Sequence, residues 1–248
     1  MNDPPRLPPG YRPIRYETIG STNDTAKDLA RAGAAAGTLV WAGEQTQGRG
    51  RRGRVWSSPP GNLYLSLVLR PDCPVAAAAQ LGFVAALALG EALGEPAGLA
   101  YKWPNDVLIG GRKVAGILLE SELDGDGRLA FLVLGVGANI VSAPPASEFP
   151  ATSLAALGLL TPSPATLLER FVAAFDAWER RWRESGFAPV RAAWRARATG
   201  LGEIIRVRLE TTALSGRFRD IDQEGTLLLE TAGECRRIAA GEVFPARG

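Results

Sequence analysis

The final part of the chain, residues 200–248, has a different sequence pattern from the part that precedes it. Four short strand patterns alternate there with turns that contain glycine. A series of short strands at this spacing is typical of a small β-barrel. We therefore place a domain boundary near Thr199 and expect residues 200–248 to form a separate small domain. The predicted strands are Ile204–Leu209, Arg217–Ile221, Thr226–Glu230 and Cys235–Ala239.

The longer first part of the chain mixes strand and helix patterns. Leu63–Leu69 has a leucine at every second position, which predicts a β-strand. Ser21–Ala32 is a predicted helix with a capping serine, Asp24 near its positive end and Gly33 after it. Asp124–Gly127 predicts a hairpin turn. Further strands are predicted at Thr38–Glu44, Ala100–Trp103, Val114–Ser121 and Leu129–Val136.

Two further stretches are predicted as helices that pack in the core. Val75–Leu93 has about the minimum length of a membrane span, but it is mostly alanine and contains Gln80 and Glu91, which favours a buried helix. A long amphipathic helix begins at Ser163 and Pro164. Its aromatic residues recur at helical spacing and are predicted to face the core. They are Phe171, Phe175, Trp178 and Trp182.

Composition limits the chemistry of the chain. Its net charge of +2 over 248 residues gives no global field for nucleic acid, so any basic function must be local. It contains no histidine, which removes the commonest general base and metal ligand. Cys73 and Cys235 form no metal-ligand spacing or disulfide framework, which fits a reducing cytoplasm. The proline-rich N-terminus has no apolar signal core, and we expect residues 1–15 to be a loose tail.

The most distinctive motif is the arginine–glycine loop, Glu44–Arg54, which lies between two predicted strands. Its glycines let backbone amides approach an anion, and its arginines suit carboxylate and phosphate oxygens. Because four arginines repel one another, we expect the empty loop to be mobile and to become ordered on a polyanion. Composition alone leaves two alternatives open, a solvated basic loop and an RNA-binding segment of arginine–glycine type.

Three further motifs carry polar groups at the ends of predicted strands. Lys102–Asp106 is a turn sequence flanked by opposite charges that could hold a phosphate and its metal ion. Lys113 enters an otherwise apolar strand, either as a snorkelling edge residue or as a charge aimed at a site. Gly135–Asn139 has glycines where a ligand or another backbone comes close. The sequence contains neither a dinucleotide-binding glycine fingerprint nor a P-loop.

Taken together and in this order, these motifs resemble those of biotin protein ligases, and the resemblance covers the chain after about Tyr16. The motifs that carry it are Ser21-Thr22-Asn23, Gln45-Thr46 with Gly48–Arg54, Lys102–Asp106, Lys113 with Gly116, and Gly135–Asn139. Gly225–Leu229 and Gly241-Glu242-Val243 resemble the small C-terminal domain of that family.

The resemblance implies an α+β fold with two domains. Residues 16–199 would form a mixed β-sheet flanked by helices, related to the catalytic domain of class II synthetases. Residues 200–248 would form an SH3-like β-barrel. Some members of the family carry an N-terminal helix-turn-helix repressor domain. Since twenty residues precede Ser21, too few for such a domain, we expect a ligase that does not bind DNA.

The resemblance also implies the reaction. The enzyme would join biotin to ATP as biotinyl-5'-AMP and then transfer biotin to a lysine of a biotin carboxyl carrier protein. The carboxylate of biotin is ionised at neutral pH, so this nucleophile needs no general base, and the lack of histidine is no obstacle. Positioned cations and Mg²⁺ would overcome the repulsion between two anions.

Site residues follow from the matched positions, with Lys113, Arg51 and Arg49 as the catalytic group. The biotin site would contain Ser21, Thr22, Asn23, Gln45, Arg49, Gly50, Arg51, Lys113 and Gly116. The ATP site would contain Arg51, Arg54, Trp56, Lys102, Asn105, Lys113 and Asn139. Asp106 is predicted to hold Mg²⁺ or to orient Lys102. The adenine pocket is placed in Ser142–Thr152, with Phe149 as a candidate stacking residue.

In the second step the acceptor amine must lose a proton, either to Asp106 or through local desolvation. A closed loop would shield the adenylate from water. An exposed sheet edge would allow homodimers.

Three alternative functions remain at this point. A lipoate protein ligase uses related chemistry, but its loop usually has consecutive glycines and a nearby histidine. An RNA-binding module would use Arg49–Arg54 and ignore biotin. A family member without catalysis would lack matched residues, which are all present here.

Overall fold

The computed structural model describes residues 4–144 and 149–245. Seven strands form one sheet in the spatial order β1-β2-β3-β7-β6-β5-β4. Only β1 and β2 pair in parallel among these neighbours, and the remaining pairs are antiparallel. The strands are β1 (Arg12–Ile19), β2 (Thr38–Gln45), β3 (Leu63–Leu69), β4 (Leu99–Lys102), β5 (Asp106–Ile109), β6 (Arg112–Leu123) and β7 (Leu129–Ala138).

Helices cover both faces of this sheet. They are α1 (Thr22–Arg31), α2 (Val75–Ala78), α3 (Leu81–Ala92), α4 (Pro164–Ser185) and α5 (Phe187–Arg195). The first helix packs Ala26 and Ala30 against one face, and its predicted cap is present, since Ser21 accepts a hydrogen bond from the backbone of Asp24. On the opposite face α3 and α4 contact the sheet, and α5 packs against these two helices. The predicted mixed sheet with flanking helices is thereby confirmed.

Residues after Gly200 form a second, antiparallel sheet in the order β11-β10-β9-β8-β12. Its strands are β8 (Ile204–Arg208), β9 (Ala213–Ile221), β10 (Leu227–Thr231), β11 (Glu234–Ile238) and β12 (Glu242–Pro245). The end of β9 and the β9–β10 turn contact the first domain at two points, one after β4 and one on α5. Trp103 Nε1 donates to the carbonyl of Gly225 at 3.0 Å, and Arg191 Nε donates to the carbonyl of Ile221 at 2.6 Å.

The alanine-rich stretch is buried, as predicted, but it is interrupted. Residues Val75–Ala92 have the length and hydropathy of a membrane span, and 72% of this stretch is buried inside the fold. Ala79 and Gln80 separate α2 from α3. The Gln80 side chain accepts from Trp182 at 2.7 Å and donates to the carbonyl of Gln223 at 3.0 Å. These bonds satisfy a polar side chain inside the core.

The expectation of a loose tail over residues 1–15 is wrong at its C-terminal end. The first strand begins at Arg12, so residues 12–15 belong to the sheet. Pro13 does not prevent this strand, because β1 lies at the edge of the sheet. Proline has no N–H group to donate, and an edge strand tolerates that loss. The strand β5, which begins at the last residue of the predicted turn Lys102–Asp106, the strand β12 and the helix α5 were not predicted.

Candidate active site

A cavity of about 290 Å³ lies where the arginine–glycine loop, the central strands and β12 meet. Every predicted site residue lines it. They are Ser21, Thr22, Asn23, Gln45, Arg49, Gly50, Arg51, Arg54, Trp56, Lys102, Asn105, Asp106, Lys113, Gly116, Asn139 and Phe149. Motifs far apart in the sequence therefore converge on one site. Their individual roles stay predictions.

One wall of the cavity is polar but uncharged. The Gln45 carbonyl accepts from the backbone N–H of Thr22 at 2.9 Å and from its hydroxyl at 3.0 Å. The Gln45 amide donates to Ser58 Oγ at 2.9 Å. Ser66 Oγ lies 2.8 Å from the Thr22 hydroxyl and 2.5 Å from Oδ1 of Asn23. Hydroxyl and amide groups held in this way suit a neutral, planar ligand such as a urea.

Trp56 forms an apolar wall that depends on two glycines. A Cβ at Gly137 would lie 2.5 Å from its indole ring, and a Cβ at Gly116 would lie 3.0 Å from it. These glycines therefore let the ring approach the sheet closely. The indole Nε1 is buried and has no hydrogen-bond partner in the described part of the chain. It is a donor that a ligand acceptor could satisfy.

The arginine–glycine loop is folded back as a short hairpin. Arg49 and Val55 form an isolated antiparallel bridge, and the N–H of Trp56 donates to the carbonyl of Gly48 at 2.9 Å. Residues 51–53 make a single 3₁₀ turn at the tip. Whether the hairpin becomes ordered only on a polyanion stays a prediction.

The C-terminal domain contacts the hairpin directly. Arg51 donates to the carbonyl of Gly241 at 3.5 Å, and Arg54 forms an ion pair with Glu242. Glu242 also accepts from Arg208 Nε at 3.0 Å. Burial would raise the pKa of Glu242, but its hydrogen bonds with Arg208 and Arg54 lower it below its ordinary value. The carboxylate thus remains ionised and neutralises part of the charge on the hairpin.

Asp106 joins the two lysines that face the cavity. Its Oδ2 lies 3.6 Å from Lys102 Nζ, and its Oδ1 forms an ion pair with Lys113. A bulge in the pairing of β5 with β6 at Lys113 changes the local strand geometry, as bulges do where a side chain must be re-aimed. Lys113 Nζ lies 5.2 Å from the centre of the Trp56 ring. Lys113 therefore lies between Asp106 and the apolar wall formed by Trp56.

Lys102 lies against the aromatic pair of Phe149 and Phe244. Its ammonium is 3.5 Å from the centre of the Phe149 ring, which stacks on Phe244 with 4.7 Å between ring centres. Burial lowers the pKa of Lys102 to about 8, against the opposing effect of Asp106. Residues 145–148 of the predicted adenine segment lie outside the described residues. Phe149 is next to the cavity, and its role in stacking adenine remains a prediction.

The amides of Asn105 and Asn139 support the backbone around the site. Asn105 Nδ2 donates to the carbonyl of Ile117 at 2.6 Å, and Asn139 Nδ2 donates to that of Thr152 at 3.1 Å. Both residues line the cavity. Since these N–H groups already bind backbone, any contact with ATP would use the remaining atoms of the two side chains.

Asp106 is the residue predicted to hold Mg²⁺, and its role stays a prediction. Within residues 4–144 and 149–245, no group of three or more His, Cys, Asp or Glu side chains converges as a metal cluster. Mg²⁺ commonly binds through one or two carboxylates together with substrate phosphates and water. The donor set here fits that mode and does not fit a cage formed by the protein alone.

Sequence reasoning missed several residues of the site. Ser66 is fully buried and touches two predicted biotin-site residues; a lone serine within the leucine strand was the available signal. Glu120 binds Asn23 at 2.7 Å. Glu242 and Phe244 come from the other domain. Glu242 was noted only within the motif Gly241-Glu242-Val243 of the small domain, and Phe244 was not noted. All three lysines of the sequence, Lys27, Lys102 and Lys113, form ion pairs in or beside the cavity.

Comparison with known families matches both parts of the fold. Residues 16–139 match the biotin/lipoate A/B protein ligase family. Residues 200–244 match the biotin protein ligase C-terminal domain.

Similar proteins include a biotin–[acetyl-CoA-carboxylase] ligase of Paracoccus denitrificans, 46% identical over 90% of this chain and 96% of the relative. The bifunctional ligase/repressor BirA of Bacillus subtilis is 37% identical over 94% of this chain and 74% of its own length. Among solved structures, biotin protein ligase from Aquifex aeolicus in complex with biotin and ATP superposes with a TM-score of 0.79. It has 28% sequence identity, over 96% of this chain and 99% of that one.

Proposed function

The chain belongs to the biotin protein ligase family, and from this premise we propose that it forms biotinyl-5'-AMP from biotin and ATP and transfers biotin to a protein lysine. One observation carries the proposal. The cavity has an uncharged polar wall at Thr22 and Gln45 and a cationic wall at Lys113 and Arg51. Biotin has the same polarity, with a neutral ureido ring at one end and a carboxylate at the other.

In the first step a carboxylate oxygen of biotin attacks the α-phosphorus of ATP. The bond from that phosphorus to the bridging oxygen breaks, and pyrophosphate leaves. Lys113 and Arg51 would offset the charge that gathers on the phosphorus oxygens. Ser21, Thr22, Asn23 and Gln45 would bind the ureido ring, and Gly116 would let Trp56 pack beside it.

ATP would occupy the other end of the cavity, near Lys102 and Arg54. Mg²⁺, when bound with ATP, would supply further positive charge to the phosphates, and Asp106 would be its carboxylate ligand. Since both Asp106 oxygens face ammonium groups, Asp106 would also orient Lys102 and Lys113. The adenine ring would lie near Phe149.

In the second step the acceptor amine attacks the acyl carbon of the adenylate, and AMP leaves as the bond from carbon to the phosphate oxygen breaks. The nitrogen releases a proton. Asp106 is a carboxylate of the cavity that could receive it, and local desolvation of the amine would assist. The acceptor would be a biotin carboxyl carrier protein of acetyl-CoA carboxylase, as the name of the Paracoccus relative indicates.

We also propose a cytoplasmic location, with ATP as co-substrate and without a tightly bound prosthetic group. The free thiols of Cys73 and Cys235 fit this location.

Homodimers could form at the part of β6 beyond Gly116, which β5 does not pair with. Sedimentation of the purified protein with and without biotin would measure this association.

The proposal is tested by pyrophosphate release. Purified protein with biotin, ATP and Mg²⁺ should release pyrophosphate, and adding the carrier protein should yield AMP and a biotinylated lysine. Lipoate in place of biotin is the matched control, because the relatives named above are biotin ligases. No pyrophosphate with biotin would refute the proposal, and binding of RNA without a response to biotin would favour the alternative module.

A further inference from the structure

Four charged side chains form a closed network at the base of the hairpin. Arg49 lies 2.5 Å from Oδ1 of Asp24 and 3.2 Å from Oε2 of Glu120. Lys27 Nζ lies 3.1 Å from each of the same two carboxylates. The network therefore alternates two acids with two bases, and Arg49 is its member from the hairpin.

The partners of Arg49 lie on regular elements of the catalytic domain. Asp24 and Lys27 occupy adjacent positions on the surface of α1, and Glu120 lies in the long strand β6. Side chains on such elements are held more precisely than side chains on loops. The ion pairs therefore tie a loop that covers the cavity to two fixed points outside it.

Charge balance favours the closed position of the hairpin. If the hairpin opened, Arg49 would leave and two carboxylates would face the single ammonium of Lys27. Glu120 is only 24% exposed, so the loss of a partner would leave a poorly solvated charge. Burial would raise the pKa of Glu120, but hydrogen bonds from Asn23 and Lys27 lower it. Its carboxylate is thus an anion that needs its cations.

The same carboxylate also reaches a residue of the cavity. Glu120 Oε2 accepts from Asn23 Nδ2 at 2.7 Å, and Asn23 Oδ1 lies 2.5 Å from Ser66 Oγ. The amide of Asn23 is thereby fixed in one orientation. Glu120 consequently contacts both the polar wall, through Asn23, and the closed hairpin, through Arg49.

We propose that the ion pairs of Arg49 with Asp24 and Glu120 are a latch that holds the hairpin closed and retains the adenylate between the two steps. The latch stands on the geometry alone, whereas its consequence for the adenylate rests on the proposed function. Arg49 is then a positioning residue. Its guanidinium is occupied by two carboxylates, and this role replaces the catalytic role predicted from its place in the motif.

Limited proteolysis of the full chain without ligand tests the latch. Trypsin cleaves after arginine, and cleavage in a folded protein requires local opening. Asp24→Asn and Glu120→Gln leave every arginine of the hairpin in place. We expect each variant to be cut in the hairpin about two- to fivefold faster than the parent, as for the loss of a partly exposed ion pair. Mass spectrometry of the fragments identifies the cut.

Asp28→Asn is the matched control. Asp28 lies one turn further along α1 and forms an ion pair with Arg31 at 3.2 Å, away from the hairpin. Its cleavage rate should equal that of the parent. Thermal midpoints of all variants report whether the fold is retained.

The second measurement is the rate at which labelled adenylate leaves the protein into an excess of unlabelled biotin and ATP. Both latch variants should release it faster by a similar factor. Asp24→Asn, which lies outside the cavity lining, should leave single-turnover adenylation unchanged because Lys113 and Arg51 are untouched. Raising the ionic strength should increase the release rate of the parent toward that of the variants, because Arg49 and Asp24 are partly exposed and salt screens their ion pair.

The outcomes separate the latch from the proposed function. Unchanged hairpin cleavage in both variants would overturn the latch. Faster cleavage with unchanged adenylate release would overturn its role in retention. Faster cleavage in a protein that releases no pyrophosphate would support the latch and reject the proposed function.

Discussion

Lys102 Nζ lies 3.6 Å from the carboxylate of Asp106, and the two side chains are only 11% and 10% exposed. Burial lowers the pKa of Lys102 to about 8, so its charge is present below that pH and is lost above it. We expect kcat/KM for ATP to fall as pH rises through about 8, because this ratio reports groups of the free enzyme. Initial rates over a pH series measure it.

Two variants check the assignment of this pH dependence to Lys102. Lys102→Arg keeps its charge and should remove the decline. Asp106→Asn removes a charge that raises the pKa of Lys102 and should move the decline to lower pH. A profile for Lys102→Arg identical to that of the parent would contradict the assignment.

Lys113→Ala and Arg51→Ala should each slow adenylate formation. The loss of a positioned cation at the reacting phosphate should raise the barrier by about 2–4 kcal/mol, by analogy with oxyanion donors. Rapid-quench single-turnover assays measure this step. Arg112→Ala is the control, since Arg112 is the exposed neighbour of Lys113 on β6. Undiminished adenylation by the Arg51 variant would remove that residue from the chemistry.

Gly137→Ala should weaken biotin binding and change the emission of Trp56. The new Cβ would lie 2.5 Å from the indole ring, so the ring must move. Isothermal titration with biotin and the tryptophan emission spectrum report the two effects. Gly125→Ala, where a Cβ meets nothing within 4 Å, should leave both unchanged. Equal affinities for the two variants would contradict the proposed wall.

Trp103→Phe should lower the free energy of unfolding by about 1–3 kcal/mol, because the buried carbonyl of Gly225 would lose its donor. Trp178→Phe is the matched substitution at an exposed hydrogen bond to Glu91 and should cost less. Urea denaturation of both variants compares them. A larger loss for Trp178→Phe would contradict the role of Trp103 as a contact between the domains.

Sequence reasoning predicted the elements with strong periodic patterns and the motifs that resemble a known family. Leu63–Leu69 and the helix after Ser163 both form as expected. It missed β1, because Pro13 obscures the strand pattern and only the position of β1 at the edge of the sheet makes the residue tolerable.

The sequence predicted which residues belong to the site better than it predicted which of them contact one another. Arg49 and Glu120 are 71 positions apart, and Arg54 and Glu242 are 188 apart. Local patterns carry no information about such pairs, since the fold decides which charges meet. The motif therefore placed Arg49 at the site, whereas the atoms that it contacts had to come from the coordinates.

The placement of all three lysines in ion pairs beside the cavity has a practical consequence for anyone who attaches a dye or a surface to this protein. Amine-directed coupling would modify these side chains or the chain terminus, and so would damage the groups under study. The exposed thiol of Cys235 offers a better handle, since it lies on β11 of the C-terminal sheet and outside the cavity lining.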